Sequence, residues 1–214
     1  WSTQNEMNRK HISALVLAAG MSTRMGRCKL DLPWNDSTIL GSILTALDNE
    51  CIERIVVVSG AYPAEVETIV RSFTHAHSEA RVEIVHNPKF NNGEMTDSIR
   101  VGLEWLKESD GVLITLGDQP NIESEIVRTI IKAFISESDL VVPSYNLRRG
   151  HPWLVGSRYF QELEQLSAGY TMRTFLNSHS QEITYVDADH QSAFLDIDSW
   201  DDYIRARAGG VKSN

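Results

Sequence analysis

Cysteines and long apolar runs are scarce in this sequence. Two cysteines occur among 214 residues, Cys28 and Cys51, without Cys-x-x-Cys spacing, so the sequence predicts neither a disulfide framework nor a structural zinc site. No apolar run approaches the roughly 20 residues that are needed to span a bilayer, and residues 1–10 lack the apolar stretch of a secretory signal. We therefore expect a cytoplasmic protein with no membrane partner.

Basic residues are outnumbered by acidic ones. The chain has 20 Lys and Arg against 29 Asp and Glu, which gives a formal net charge of −9. A surface that binds nucleic acid needs clustered cations to displace counterions, so no nucleic-acid partner is predicted. A small anionic substrate needs only a few local cations and is compatible with this charge. The hydrophobic content of 42% is that of a globular fold.

Short β-branched runs alternate with helical patterns through most of the chain. Strands are predicted at 12–17, 54–58, 81–85, 111–116 and 140–142, and after a polar loop at 153–155, 183–186 and 194–197. Helices with one apolar face separate the first five strands, and others are predicted at 159–166, 171–177 and 200–207. The alternation predicts an α/β fold with three layers, in which a mainly parallel, Rossmann-like sheet carries helices on both faces.

The loop after the first strand has the composition of an anion site. Residues 17–29 read Leu-Ala-Ala-Gly-Met-Ser-Thr-Arg-Met-Gly-Arg-Cys-Lys, so glycines that free the backbone stand beside the cations Arg24 and Lys29, which we expect to face solvent. The loop lacks the Gly-Lys-Ser/Thr ending of a P-loop and the Gly-x-Gly-x-x-Gly spacing of a dinucleotide fold. A solvated surface turn is the alternative interpretation.

Carboxylates follow two other predicted strands. Asp118 stands past the end of strand 111–116 in Gly-Asp-Gln-Pro, and Asp196 and Asp198 stand at the last strand, where alternation puts both on one face. Mg²⁺ usually takes one or two protein carboxylates together with phosphate oxygens. Asp118 with Asp196 or Asp198 is therefore a candidate metal site, and Asp198 is alternatively the N-cap of the last helix.

Further short motifs follow the order that is seen in a known family. They are the loop 17–29, Leu32-Pro33-Trp34, Thr38-Ile39-Leu40, His86-Asn87-Pro88, Gly93 with Thr96 and Ser98, Gly117-Asp118-Gln119-Pro120, Gly150-His151-Pro152, Thr171-Met172-Arg173 and Leu195-Asp196-Ile197-Asp198. From residue 12 to 206 the chain thereby resembles the molybdenum cofactor cytidylyltransferases. The first loop and Gly-Asp are typical of all nucleotidyltransferases with a GT-A-like sheet, whereas Gly-His-Pro and Asp-Ile-Asp are more specific.

The resemblance implies an enzyme that transfers CMP from CTP to the terminal phosphate of molybdopterin, with Mg²⁺ or alternatively Mn²⁺, and releases pyrophosphate. It implies Arg24, Lys29 and Asp118 as catalytic residues, and a molybdenum hydroxylase as recipient of the product. The implied nucleotide-binding residues are Leu17, Ala18, Ala19, Gly20, Ser22, Arg24, Lys29, Asn87, Gly93, Ser98 and Asp118, and the implied acceptor-binding residues are Arg149, Gly150, His151 and Pro152. Asn87 and Gly93 are equally well explained as turn residues.

The choice of nucleotide is predicted from the first loop. The guanylyltransferase relatives carry Gly-Gly where Ala19-Gly20 stands here, and the methyl group of Ala19 would crowd a purine. These relatives also carry an acidic residue where Cys28 stands. Two alternatives stay open, namely another nucleotidyltransferase on the same sheet, acting with GTP or on a sugar phosphate, and a non-catalytic partner that loads cofactor into a molybdenum hydroxylase. The retained cations and carboxylates argue against a non-catalytic role.

The domain organisation is predicted to be simple. We expect one domain over 11–208, with the nucleotide-binding part mainly in 11–143 and the acceptor part mainly in 144–198. Residues 1–10 are expected to be disordered, or a processed or added end.

Overall fold

A computed structural model describes residues 10–48, 51–77, 81–137, 139–166, 169–188 and 195–210. The strands are β1 Ile12–Ala18, β2 Pro33–Trp34, β3 Ser37–Thr38, β4 Ile52–Ser59, β5 Val82–His86, β6 Gly111–Leu116, β7 Leu140–Tyr145, β8 Arg148–Arg149, β9 Trp153–Gly156 and β10 Ile183–Asp187. The α-helices are α1 Ile39–Leu47, α2 Pro63–Ala76, α3 Met95–Leu103, α4 Ser124–Ala133, α5 Phe160–Glu164, α6 Met172–Ser178 and α7 Trp200–Gly210. Residues 1–9 lie outside the described part.

The main sheet has the strand order β10-β7-β9-β6-β1-β4-β5, with β8 paired to β7. Parallel pairs join β6, β1, β4 and β5, and also β7 and β10, whereas β9 runs antiparallel to both of its neighbours. The central strands are buried on both faces, as their continuous apolar runs predict. Because β1, β4, β5 and β6 are parallel, the loops at their carboxyl ends meet at one edge of the sheet, where open α/β sheets bind ligands.

Helices cover both faces of the sheet. One apolar core packs α1, α2, α4 and α7 against the sheet through residues such as Ile39, Val66 and Val127. The other packs α3, α5 and α6 against the opposite face through Leu103 and Phe175 among others. Thr38 caps α1 by accepting a hydrogen bond from the Gly41 N–H at 3.0 Å. The predicted three-layer, mainly parallel α/β fold is therefore confirmed.

The prediction of a strand at 194–197 is wrong in the part that the structure describes, and Phe194 lies outside that part. Residues 195–198 form no regular secondary structure. They cross the carboxyl edge of the sheet, where the Ile197 N–H donates to the Asp118 carbonyl oxygen at 3.1 Å. The segment is thus held by contacts at a strand tip and not by pairing along a strand. The predicted helix 159–166 is also shorter than expected: a 3₁₀ turn covers Ser157–Tyr159, and the α-helix runs only over Phe160–Glu164.

A histidine joins α6 to its neighbours through two carboxylates. His179 Nδ1 lies 2.8 Å from Glu182 Oε1, and its Nε2 lies 3.0 Å from Glu162 Oε2. Tyr159 donates to the other Glu182 oxygen at 2.8 Å. Desolvation lowers the pKa of His179, but the hydrogen bonds to Glu182 and Glu162 outweigh it, so the pKa of His179 is raised above its usual value.

Replacing His179 by Gln is expected to remove a pH-dependent part of the stability. A group whose pKa is raised on folding contributes stability fully below its unfolded pKa of about 6.5, and loses that contribution as the pH rises through the folded value. Urea unfolding between pH 5.5 and 9 measures the difference between the wild type and His179→Gln. The difference should be largest at the acidic end and should shrink as the pH rises; a difference that grows toward pH 9 would contradict the charged interaction.

Candidate active site

A cavity of about 380 Å³ opens at the carboxyl edge of the sheet. Its lining combines the loop after β1, the loop between β5 and α3, and the tip of β6. Every residue that the sequence predicts to bind nucleotide lines this one cavity: Leu17, Ala18, Ala19, Gly20, Ser22, Arg24, Lys29, Asn87, Gly93, Ser98 and Asp118. Asp198 lines it as well, although it follows Asp118 by 80 positions.

Ser22 shapes the loop after β1. Its backbone is left-handed, with φ of 49°, and its carbonyl oxygen accepts hydrogen bonds from the N–H groups of Met25 and Gly26 at 2.9 and 3.1 Å. Its hydroxyl accepts from the Lys29 N–H at 3.3 Å. Gly26, with φ of 69°, completes the turn. The loop therefore curls back on itself and brings Lys29 to the tip of β6.

Lys29 lies between two carboxylates. Its Nζ is 2.6 Å from Asp118 Oδ2 and 3.0 Å from Asp198 Oδ1. Desolvation lowers the pKa of Lys29, but the charge and hydrogen bond of Asp118 and the hydrogen bond of Asp198 outweigh it and raise that pKa above its usual value. The ammonium group is therefore charged at neutral pH. The expectation that Lys29 faces solvent is wrong, because its side chain is only 11% exposed, compared with 69% for Arg24.

The two acidic residues of the last loop have different partners. Asp198 binds Lys29 and also accepts from Arg24 Nη2 at 3.0 Å. It does not cap α7, because the Ser199 hydroxyl accepts from the Asp202 N–H at 3.2 Å and fills that role. Asp196 instead accepts from Gln119 Nε2 at 2.5 Å. The structure thus brings Asp118 and Asp198 together on Lys29, whereas Asp196 pairs with Gln119. Burial, and the nearby charges of Asp118 and Asp198, raise the pKa of Asp196 above its usual value.

A metal ion would fit the Asp118 and Asp198 pair by the chemistry of its donors. Both carboxylates have an oxygen within 3.0 Å of one nitrogen, so they converge on one region of the cavity. Two carboxylates are what Mg²⁺ usually takes from a protein when phosphate oxygens complete its coordination. Within the described ranges, no group of three or more His, Cys, Asp or Glu side chains is arranged to hold a metal ion, so the phosphates would have to supply the remaining ligands.

The far wall of the cavity is polar and closely packed. Asn87 is buried; it donates to the Ser98 hydroxyl at 3.0 Å and accepts from the Lys89 N–H at 2.9 Å. Gly93 packs against Lys89, where a Cβ would come within 2.6 Å of the Lys89 carbonyl oxygen. Asn87 therefore shapes the turn, as one interpretation of the sequence predicts, and it also lines the cavity, as the other predicts.

Two residues that the sequence analysis did not identify, Gly60 and Phe90, lie near Ala19. A Cβ on Gly60 would lie 2.6 Å from the Phe90 Cβ and 2.7 Å from the Ala19 methyl group. Gly60 follows β4 and thus allows Ala19 and Phe90 to approach each other, and both of these line the cavity. No local pattern at Gly60 indicates this role, because the contact arises only when β4 and β1 pair. Phe90 was easier to identify than Gly60, because it lies only three residues after Asn87, which the sequence analysis assigns to nucleotide binding.

The predicted acceptor residues lie outside the lining of this cavity. Arg149 donates to Tyr185 Oη and to Asn177 Oδ1, both at 2.8 Å, on the β10 side of the sheet. The Gly150 N–H donates to the Pro143 carbonyl oxygen at 2.9 Å. His151 and the buried Pro152 are joined by a cis peptide bond. His151 contacts the residue that follows Asp118, because its Nδ1 lies 3.2 Å from Gln119 Nε2.

Known proteins resemble this chain over most of its length. The family described as the MobA-like NTP transferase domain matches residues 14–183. The molybdenum cofactor cytidylyltransferase of Escherichia coli K12 is 30% identical over 92% of this chain and 95% of its own. A probable molybdenum cofactor guanylyltransferase of Bacillus mycoides is 27% identical over 64% of each chain.

Solved structures share the fold. The crystal structure of Rv0371c from Mycobacterium tuberculosis superposes with a TM-score of 0.78 and 27% identity, over 93% of this chain and 98% of that one. The same protein in complex with manganese superposes with a TM-score of 0.72 at the same identity, over 92% of this chain and 98% of that one.

None of the helices in the described residues has both the length and the apolar character of a membrane span.

Proposed function

Because the chain belongs to the MobA-like NTP transferase family and is a nucleotidyltransferase, we propose that it transfers CMP from CTP to the terminal phosphate of molybdopterin. The products are pyrophosphate and the cytosine dinucleotide form of the cofactor. The observation that carries the proposal is the cavity at the sheet edge, which joins the cationic loop, the Asp118 and Asp198 pair and the Ala19 methyl group in one lining. A divalent metal is in keeping with the family.

The triphosphate is proposed to lie along the loop after β1. Glycine at position 20 leaves open space, since a Cβ there would meet no atom within 4 Å, so phosphate oxygens can approach the backbone N–H groups. Arg24 and Lys29 supply positive charge on the same side of the cavity. Their carboxylate partners belong to the proposed metal site, so the cations and the metal would share the charge of the polyphosphate.

Mg²⁺ or Mn²⁺ is proposed to bind at Asp118 and Asp198. When bound, the metal would neutralise charge that develops on the phosphate oxygens. Asp118 and Asp198 hold their places through Lys29, which contacts both, and through the backbone hydrogen bond between Ile197 and Asp118. The chain's part in the reaction is therefore to align the α-phosphate and to offer fixed charges to it.

The acceptor needs no general base. A phosphate monoester is already an anion near neutral pH, so it can attack the α-phosphate without losing a proton to the protein. The loop that contains Gly150, His151 and Pro152 is proposed to hold the acceptor, and a molybdenum hydroxylase is proposed to receive the product. Arg149 remains part of that proposal, because only its Nε and Nη1 donate to Tyr185 and Asn177, and a guanidinium group has five N–H donors.

Selectivity for CTP over GTP is expected to depend on one methyl group. Ala19→Gly removes a methyl group that lies beside Gly60 at the cavity lining, which should make room for a purine. One methyl-sized change in a pocket is worth about 1–3 kcal/mol, or roughly 10- to 200-fold in discrimination. We expect the ratio of kcat/KM for GTP to that for CTP to rise at least about tenfold within that range, measured as pyrophosphate release with molybdopterin.

The matched control is Ala133→Gly at the end of α4, which lies away from the cavity. It should leave the ratio unchanged. Thermal unfolding gives a second readout, because a ligand that binds only the folded state stabilises it by mass action. CTP with Mg²⁺ should raise the melting temperature of the wild type more than GTP does. Equal shifts would mean that the Ala19 methyl does not select the nucleotide.

A further inference from the structure

Gln119 joins three separate segments of the chain. It follows Asp118 at the tip of β6, and it is only 2% exposed. Its Nε2 donates to Asp196 Oδ1 at 2.5 Å and lies 3.2 Å from His151 Nδ1. One amide group therefore contacts both the last loop, which carries Asp198, and the Gly-His-Pro loop. The proposed reaction gives it no part.

The chemistry of the three partners fixes the direction of these bonds. The amide nitrogen of Gln119 faces Asp196, with Nε2 2.5 Å from Asp196 Oδ1, and a carboxyl oxygen can accept that N–H. The second N–H of the same nitrogen then points to His151 Nδ1. Desolvation lowers the pKa of His151 to about 4, so the ring is neutral at pH 7 and its Nδ1 can accept. Both N–H groups of Gln119 are thus in use.

The bond to Asp196 helps to set the position of Asp198. Residues 196–198 are attached to the tip of β6 at two points, namely the side-chain bond from Gln119 to Asp196 and the backbone bond from Ile197 to the Asp118 carbonyl oxygen. Asp198 follows directly and reaches Lys29 at 3.0 Å. Losing the side-chain attachment would leave the backbone bond as the remaining hydrogen bond from residues 196–197 to the tip of β6, so the position of Asp198 would depend on that bond, on the buried Ile197 side chain and on its own ion pairs.

We propose that Gln119 is a positioning residue that holds the loop of Asp198 against Asp118 and links both to the Gly-His-Pro loop, and that Asp196 is its anchor and not a metal ligand. The inference rests on one part of the proposed function, namely that Asp118 and Asp198 hold the metal. It predicts that the effect of changing Gln119 depends on which residue stands at position 196.

Exchanging the two groups tests this dependence. Gln119→Glu places a second carboxylate against Asp196. The double variant Gln119→Glu with Asp196→Asn exchanges the amide and the carboxylate between the two positions and keeps the net charge of the wild type. In the double variant the new amide at position 196 donates to the new carboxylate at position 119, and His151 can donate from Nδ1 as its other tautomer. We expect Gln119→Glu to weaken Mn²⁺ binding tenfold or more, and the double variant to return to within threefold of the wild type.

Mn²⁺ binding is measured by the electron paramagnetic resonance of the free ion with pyrophosphate present, since any nucleotidyl transfer releases pyrophosphate. Unfolding of the metal-free protein provides the second readout, and Asp196→Asn should again restore stability that Gln119→Glu has lost. Asp198→Asn is the comparison for a true ligand. Neither readout uses CTP or molybdopterin, so a wrong nucleotide assignment would leave both results intact.

The opposite pattern would overturn the proposal. If Asp196 is a metal ligand, Asp196→Asn alone weakens Mn²⁺ binding as much as Asp198→Asn, and the double variant is the weakest. Should Gln119→Glu fail to fold, Gln119→Met removes both hydrogen bonds without adding charge. Asp196→Asn should then have no further effect on Mn²⁺ binding when it is combined with Gln119→Met, and an additive effect there would contradict the anchor role.

Discussion

Asp118→Asn is expected to lower turnover by about 10²- to 10³-fold, which corresponds to the roughly 2.7–4 kcal/mol assigned to a principal electrostatic stabiliser of a transition state. The substitution keeps the size of the side chain and one oxygen for Lys29, but it removes a charge from the proposed metal site. The fold should survive, because Asp198 still pairs with Lys29 at 3.0 Å. Steady-state pyrophosphate release at saturating metal and nucleotide measures the loss.

The control for this variant is Asp36→Asn, which removes the same charge from an exposed residue outside the cavity. It should retain the activity of the wild type. Near-normal metal-dependent turnover in Asp118→Asn would mean that Asp118 only shapes the turn before Pro120, and the metal site would then have to be assigned to other carboxylates.

Lys29→Met is expected to damage both activity and stability. It removes the cation that stands between Asp118 and Asp198 and leaves their carboxylates facing each other. Breaking a fully buried ion pair costs about 3–5 kcal/mol; since the Asp198 side chain is 37% exposed, we expect roughly 1–3 kcal/mol of lost unfolding free energy at pH 7. Urea unfolding without metal measures it.

Adding a divalent metal should restore part of that stability, because a second cation can occupy the space between the carboxylates. The gain on adding Mg²⁺ should be larger in Lys29→Met than in the wild type, whereas turnover should stay low. Lys132→Met, at an exposed position in the last turn of α4, is the control and should change neither quantity. If Lys29→Met unfolds at the same urea concentration as the wild type, the paired carboxylates are not under mutual repulsion.

The residues of the cavity could be predicted from the sequence because of a rule about parallel sheets. The ends of β1, β5 and β6 are recognisable from apolar runs that stop at Gly, Asn or Asp, and parallel strands bring such ends to one edge. Arg24, Asn87 and Asp118 therefore could be grouped without coordinates. The family resemblance added the roles that composition alone left open.

The different partners of Asp196 and Asp198 could not be predicted from the sequence. The alternation rule holds only for a paired strand, and residues 195–198 are held by Asp118 and Gln119 at the strand tip instead. The burial of Lys29 could not be predicted either, because it depends on how Ser22 turns the loop after β1. Both features come from contacts between segments that are far apart in the chain.

The most direct test of the account is to incubate the protein and Mg²⁺ with molybdopterin and either CTP or GTP, and to measure pyrophosphate together with the dinucleotide product. The account predicts pyrophosphate and the cytosine dinucleotide in equal amounts with CTP, and at least about tenfold less product with GTP, as one methyl group in a pocket allows. Equal use of both nucleotides, or pyrophosphate release that does not require molybdopterin, would contradict it.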